Sequence, residues 1–171
     1  MTGAAHDEEA IEIPLLGGWV TSGVVRIGDT VRRPLSPRSV FVHQFLRELE
    51  ALGFYGAPRF LGIDELGREV LSFVPGESLM EVGTLSDHRL RSGAQLLFRL
   101  HQSAAATSDE LRQNHGVVLH GDAGPWNIIW RDDEAIALID FDEARPRRAA
   151  RRTRLLHLEG VASETDRPFS A

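Results

Sequence analysis

The sequence has no cysteine and no lysine. Without cysteine there is no disulfide framework and no thiolate metal site. Without lysine, every mechanism that needs a lysine side chain is closed. All 19 basic side chains are arginine, which binds phosphate through a planar fork but is not interchangeable with lysine. No run reaches the ~18 apolar residues of a membrane span. The stretch from Met1 to Ile13 is acidic and lacks an apolar core, so it does not read as a signal peptide. These absences lead to the expectation of a soluble cytoplasmic protein with no membrane partner. What is present is globular: 171 residues, 42% hydrophobic and 26% charged, enough to bury a core. The net charge of −6 is unevenly spread. Residues 1–143 carry 12 Arg against 22 acidic residues, or −10, and residues 144–171 carry 7 Arg against 3 acids, or +4. That break is the strongest boundary signal in the chain.

The first part reads as β structure. Val24–Ile27 and Thr30–Arg33 are strand-like around a Gly28-Asp29 turn, and Pro34 ends the second. A small-residue loop, Gly17–Gly23, precedes them. Apolar spacing at Phe41, Phe45, Leu49 and Leu52 predicts a helix over Ser39–Leu52, closed by Gly53. Arg59–Ile63 and Glu69–Val74 read as strands around a turn at Asp64–Gly67, and Pro75-Gly76 punctuates the chain. A second helix is expected from Ser86, a plausible N-cap, to Ala105, with Leu90, Ala94, Leu97 and Leu100 as its buried stripe. Residues 106–116 read as loop. Ile128–Trp130 and Ala135–Ile139 flank Arg131–Glu134 as a hairpin.

The chemistry sits around that hairpin. His120, Asp122 and Asn127 stand before it, and Asp140 and Asp142 follow it. Chance gives His, Asp at +2 and Asn at +7 roughly once in 200 chains of this composition. With a turn centred between Asp133 and Glu134, partners sum to 267 and Asn127 faces Asp140. Two oxygen donors opposed across a ladder can share one Mg2+, which takes oxygen ligands and leaves other positions to phosphates and water. Asp122, on the entering loop, is placed to take a proton from an attacking hydroxyl. His43 and His101 read as partly buried helix residues, and the spacing of His115 and His120 is a poor zinc signature.

The run from His120 to Trp130, followed by Ala137–Asp142, resembles the catalytic loop and metal-binding segment of the aminoglycoside phosphotransferases, relatives of the protein kinases. The resemblance covers roughly residues 15–143. It implies an α+β, protein-kinase-like two-lobe fold, with an antiparallel N-lobe sheet and one helix, then a shortened helical C-lobe holding the catalytic hairpin. Residues 1–14 would be an N-terminal extension, 15–74 the N-lobe, 75–143 a partial C-lobe, and 144–171 a disordered Arg-rich tail. Asp122 would be the catalytic base, supported by His120, with Asn127 and Asp140 holding Mg2+. ATP would lie against the loop residues Thr21, Ser22 and Gly23, with the Ser72–Val74 backbone as its hinge. The family's phosphate-binding lysine is absent, and Arg32 or its neighbour Arg33 is the nearby cation. The family's helical segment after the metal-binding aspartate is also missing, since about thirty residues follow Asp140; this reads as a shortened C-terminus. The expected activity is transfer of the γ-phosphoryl group of ATP to a small-molecule hydroxyl. Two other readings remain: an inactive relative that binds nucleotide alone, and a nucleic-acid-associated module using the basic tail. Nucleic acid is not the expected partner, because no aromatic residue interleaves the run Arg145–Arg154.

Overall fold

The computed structural model describes residues 11–15, 23–113 and 116–148. The N-terminal part is a five-stranded sheet in which every neighbouring pair is antiparallel. Its strands are β1 (Ile13–Pro14), β2 (Val25–Ile27), β3 (Thr30–Arg33), β4 (Phe60–Ile63) and β5 (Glu69–Ser72), in the order β1-β2-β3-β5-β4. Helix α1 (Ser39–Ala51) falls where its apolar spacing predicts. It buries Val42, Phe45, Leu46 and Leu49, while Leu52, expected in the stripe, is exposed.

The C-terminal part is built on α3 (Asp87–Ala105), capped by the Ser86 hydroxyl, which accepts from the Arg89 N–H. Short helices α2 (Leu79–Val82) and α4 (Asp109–Arg112) flank it. The sequence pattern showed neither; α4 lies in the expected loop and buries Leu111. The buried face of α3 is Ser92, Gly93, Leu96, Leu100 and Ala104, not the predicted stripe, of which only Leu100 is buried. The reason is the hairpin of β7 (Ile128–Arg131) and β8 (Glu134–Leu138), which backs onto the small residues of α3. The Ser92 hydroxyl accepts from Ala135 N–H at 2.9 Å and donates to Glu134 Oε2 at 2.5 Å. Arg89 pairs with Asp133 at 2.5 Å. That Ser92 hydrogen bond, with help from His88, lowers the Glu134 pKa against its slight desolvation.

The hairpin register differs from the expectation. Asp132 and Asp133 both have positive φ, 50° and 65°, so they form a two-residue turn one position earlier. A bulge then shifts the ladder, pairing Ile128 with Leu138. Asn127 is therefore level with Ile139, whose N–H donates to the Asn127 carbonyl at 2.8 Å, and not with Asp140. Arg145–Arg148, expected to open a tail, forms β9, antiparallel to β6 (Gly116–Leu119). The rest of the predicted tail, from residue 149, lies outside the described residues.

One hydrophobic core joins the two parts, running from α1 through Leu71 and α3 to the hairpin and Phe141. The link between them is tied down by backbone. Glu77 and Trp130 exchange N–H···O bonds at 2.8 Å in both directions, and Arg131 Nη2 donates to the Pro75 carbonyl at 2.6 Å. Gly76 permits this approach, since a Cβ there would stand 2.5 Å from both the Trp130 carbonyl oxygen and Ile129 Cγ2.

Candidate active site

The loop entering the hairpin is shaped by its own sequence. Gly121 has φ +92°, and a Cβ on it would lie 2.1 Å from the Glu143 carbonyl oxygen, so only glycine fits between His120 and Asp122. His120 is 1% exposed. Its Nε2 lies 3.0 Å from the Ile139 carbonyl, and its Nδ1 accepts the Asp122 backbone N–H at 3.3 Å. This pairing fixes the neutral tautomer with the proton on Nε2. Burial pushes the His120 pKa down, against the opposing pull of the Ile139 carbonyl and the charges of Asp140 and Asp122.

Asp122 is held from the other side by a 3-10 turn, Pro125–Asn127. Asn127 Nδ2 donates to the Asp122 carbonyl at 2.8 Å and to its Oδ2 at 2.9 Å. The Trp126 indole N–H donates to the same Oδ2 at 3.1 Å. Among the described residues nothing donates to Oδ1, so one carboxylate oxygen is fixed and the other is available. Trp126 is 59% exposed, whereas Trp130 is buried in the core. On the far side of the loop, Leu90, Ala94 and Leu97 join Ala123, Pro125 and Ile128 around an apolar hollow. Part of the stripe predicted to be buried in α3 thus lines a cleft.

Asp140 ends the ladder in a left-handed conformation, φ 62°, and starts a second 3-10 turn, Phe141–Glu143. Asp140 and Asp142 both meet Arg33: Nη1 lies 3.3 Å from Asp140 Oδ1, and Nη2 donates to Asp142 Oδ2. Burial raises the Asp142 pKa, Arg33 opposes this, and the charge of Asp140 adds to it. Arg33 Nε is 3.1 Å from Glu69 Oε1. The other Glu69 oxygen meets His43 Nε2 at 2.5 Å, and His43 stacks on Phe60 with centroids 3.7 Å apart. Arg33 and Glu69 are paired residues on β3 and β5, and cross-strand partners share a face. Arg32 therefore faces the other way; its Nε lies 3.6 Å from Asp64 Oδ2 and its Nη1 donates to Thr30 Oγ1. Of Arg32 and Arg33, Arg33 is the one brought to Asp140 and Asp142, and Arg32 is not. The roles of Glu69 and His43 were not read from the sequence. The signal was the register itself, which puts an acid opposite Arg33.

Thr21 and Ser22 lie outside the described residues, and Gly23 is at the turn before β2. In the hinge segment the Ser72 N–H donates to the Arg59 carbonyl and the Phe73 N–H to the Asp29 carbonyl. Val74 N–H has no partner among the described residues. For a metal, the described residues hold no group of three or more His, Asp or Glu side chains placed to bind one. Asn127 and Asp140 do offer amide and carboxylate oxygens, the hard donors Mg2+ takes. Because Nδ2 of Asn127 is spent on Asp122, its Oδ1 is the acceptor left over. The donor set fits Mg2+ only with further ligands from phosphate or water. Among the described residues no helix is long and apolar enough to cross a membrane.

Residues 106–150 match the family described as "Phosphotransferase enzyme family". A trifolitoxin immunity protein of Rhizobium leguminosarum bv. trifolii is 38% identical along a 152-position alignment that covers 81% of this chain. The chain spans 58% of that protein's length. Among solved structures, the GDP complex of an aminoglycoside 2′-phosphotransferase superposes with a TM-score of 0.55 at 14% identity, covering 83% of this chain and 70% of that one. A macrolide 2′-phosphotransferase from Brachybacterium faecium gives 0.46 at 16% identity, covering 71% and 61%. The fold is thus the two-lobe, protein-kinase-like one. Residues 106–150, which run through the His120–Asn127 loop and the hairpin, are similar to the phosphotransferase family, and the fold around them is similar to that of an aminoglycoside 2′-phosphotransferase.

Proposed function

We propose that the chain transfers the γ-phosphoryl group of ATP to a hydroxyl of a small molecule, with Asp122 as the base. The observation that carries this is the presentation of the Asp122 carboxylate. Its backbone N–H is held by His120, its Oδ2 by Asn127 and Trp126, and its Oδ1 is left for an incoming hydroxyl. A carboxylate fixed in this way accepts the proton as the hydroxyl oxygen attacks phosphorus, and holding the two reactants in place supplies much of the rate. Arg33 would grip phosphate oxygens through its fork. Val74 N–H would hold the nucleotide base, and Gly23 belongs to the loop that would cover the phosphates. Mg2+ would be held by Asn127 and Asp140 and would neutralise charge on the phosphates.

The test is acceptor-dependent ADP release with a panel of hydroxyl compounds, aminoglycosides and macrolides included. Asp122→Asn should lower the rate by about 10²–10⁴-fold. Full transfer by that variant would remove Asp122 as the base.

A second reading rests on the 38% identical relative, which is named for immunity to a toxin. In this reading the acceptor hydroxyl belongs to a toxin, and expression of the chain protects a sensitive cell. Protection that persists in Asp122→Asn would separate immunity from phosphoryl transfer.

A further inference from the structure

Arg33 touches three carboxylates at once: Glu69 through Nε, Asp140 through Nη1 and Asp142 through Nη2. Arg33 is 8% exposed and its contact with buried Glu69 is little screened, whereas the Asp140 side chain is 41% open to water, so the Asp140 contact is the easiest of the three to exchange. Three carboxylates against one guanidinium leave two negative charges over, before any contribution from His43. A divalent cation would cancel them. Yet the acids converge on the guanidinium, and they form no group of their own placed to hold a metal. An ion arriving alone would find an Asp140 oxygen already covered and a buried positive charge beside it.

We propose that Arg33 is the resident counter-cation of the metal-binding segment, and that nucleotide phosphates admit the divalent ion by drawing Arg33 off Asp140. The inference rests on the phosphoryl-transfer reading of this site. Glu69 makes the exchange local. Its Oε1 lies 3.1 Å from Nε across the paired strand, an ion pair in which Nε makes no hydrogen bond, so Nη1 and Nη2 can trade carboxylate oxygens for phosphate oxygens while charge attraction keeps the side chain in place. Phosphate is a bidentate partner for the same fork. Once released, Asp140 and Asn127 supply oxygens to the ion, and the phosphates supply more. Ion and nucleotide then strengthen each other's binding by the same factor, because coupling between two sites is reciprocal.

The test is Mn2+ binding followed by electron paramagnetic resonance, with Mn2+ as the probe for Mg2+ and ADP as the nucleotide. Wild-type protein should bind Mn2+ weakly alone and about tenfold or more tightly with ADP, within the usual range of such couplings. Arg33→Gln should bind Mn2+ alone about tenfold more tightly than wild type and should bind ADP about tenfold more weakly. Arg33→Lys is the second variant, because it keeps a positive charge on buried Glu69. Its compact ammonium cannot span all three acids, so it should shift both affinities in the same directions by less. If Arg33→Gln does not fold by circular dichroism, Arg33→Lys decides. If folded variants bind Mn2+ alone as wild type does, while wild type with ADP binds it, the counter-cation role is wrong and the phosphotransferase reading stands. If no Mn2+ binds under any condition, both are overturned.

Discussion

His120 carries no charge into the site and yet sets its geometry, because its two ring nitrogens join Ile139, just past β8, to the backbone of Asp122. The cost of burying it appears in its pKa, which desolvation lowers from the ordinary 6.5. The sign follows from linkage. Above that ordinary value, folded and unfolded chains both hold the ring neutral, and the fold carries no penalty. As pH falls below it, the unfolded chain binds the proton and the folded one resists, so stability is lost down to the folded pKa. Urea midpoints should therefore fall between pH 7 and pH 5, and His120→Gln should flatten that slope. An unchanged slope in the variant would mean that His120 is not the buried neutral group described. Residues of this loop were legible in the sequence because their work is local: His120, Asp122 and Asn127 meet within one short segment. Arg33 was not separated from Arg32, since the pattern marks a strand but not which face of it is covered. Glu69 and His43 reach the site through tertiary register, which no local spacing encodes.

At the scale of elements, the hairpin is held where catalysis would need it by two neighbours, α3 behind it and the Pro75–Glu77 link across its edge. Gly76 is the tight point of the second contact. Alanine there would drive a methyl into the Trp130 carbonyl and the Ile129 side chain, both at 2.5 Å. The backbone cannot yield without breaking the paired Glu77–Trp130 bonds, so Gly76→Ala should destabilise the protein by about 1–3 kcal/mol, the usual cost of overpacking. Chemical denaturation measures it, and a variant as stable as wild type would show that the link does not press on the hairpin. The hairpin itself was legible from two apolar runs around a polar turn. Its register was not, because the turn is made by Asp132 and Asp133 in left-handed conformations, which composition permits without requiring. The face of α3 was misjudged for a related reason. Apolar periodicity favoured Leu90, Ala94 and Leu97, whereas the hairpin needed small residues beneath it and took Ser92 and Gly93.

At the scale of the whole molecule, the described chain does not divide into two independent cores. Phe141, between the two aspartates that face Arg33, is where the parts meet: its ring lies 6.1 Å from Phe45 of α1 and 4.3 Å from the His120 ring. The same residue therefore packs the helix of the N-terminal part and the His120–Asp122 loop of the C-terminal part. It is 3% exposed, and truncating a buried phenylalanine costs about 3–5 kcal/mol. Phe141→Ala should lose that much, and the loss should be felt on both sides. Far-UV circular dichroism reports the helices and sheet, and tryptophan fluorescence, read in a background with Trp19→Phe and Trp126→Phe, reports buried Trp130 in the hairpin. If one core holds the molecule, the two midpoints coincide in wild type and move down together in the variant, as a two-state transition requires. If fluorescence shifts and dichroism does not, the hairpin and the His120–Asp122 loop unfold apart from the sheet. The alignment of Asp122 with Arg33 would then depend on something other than the shared core.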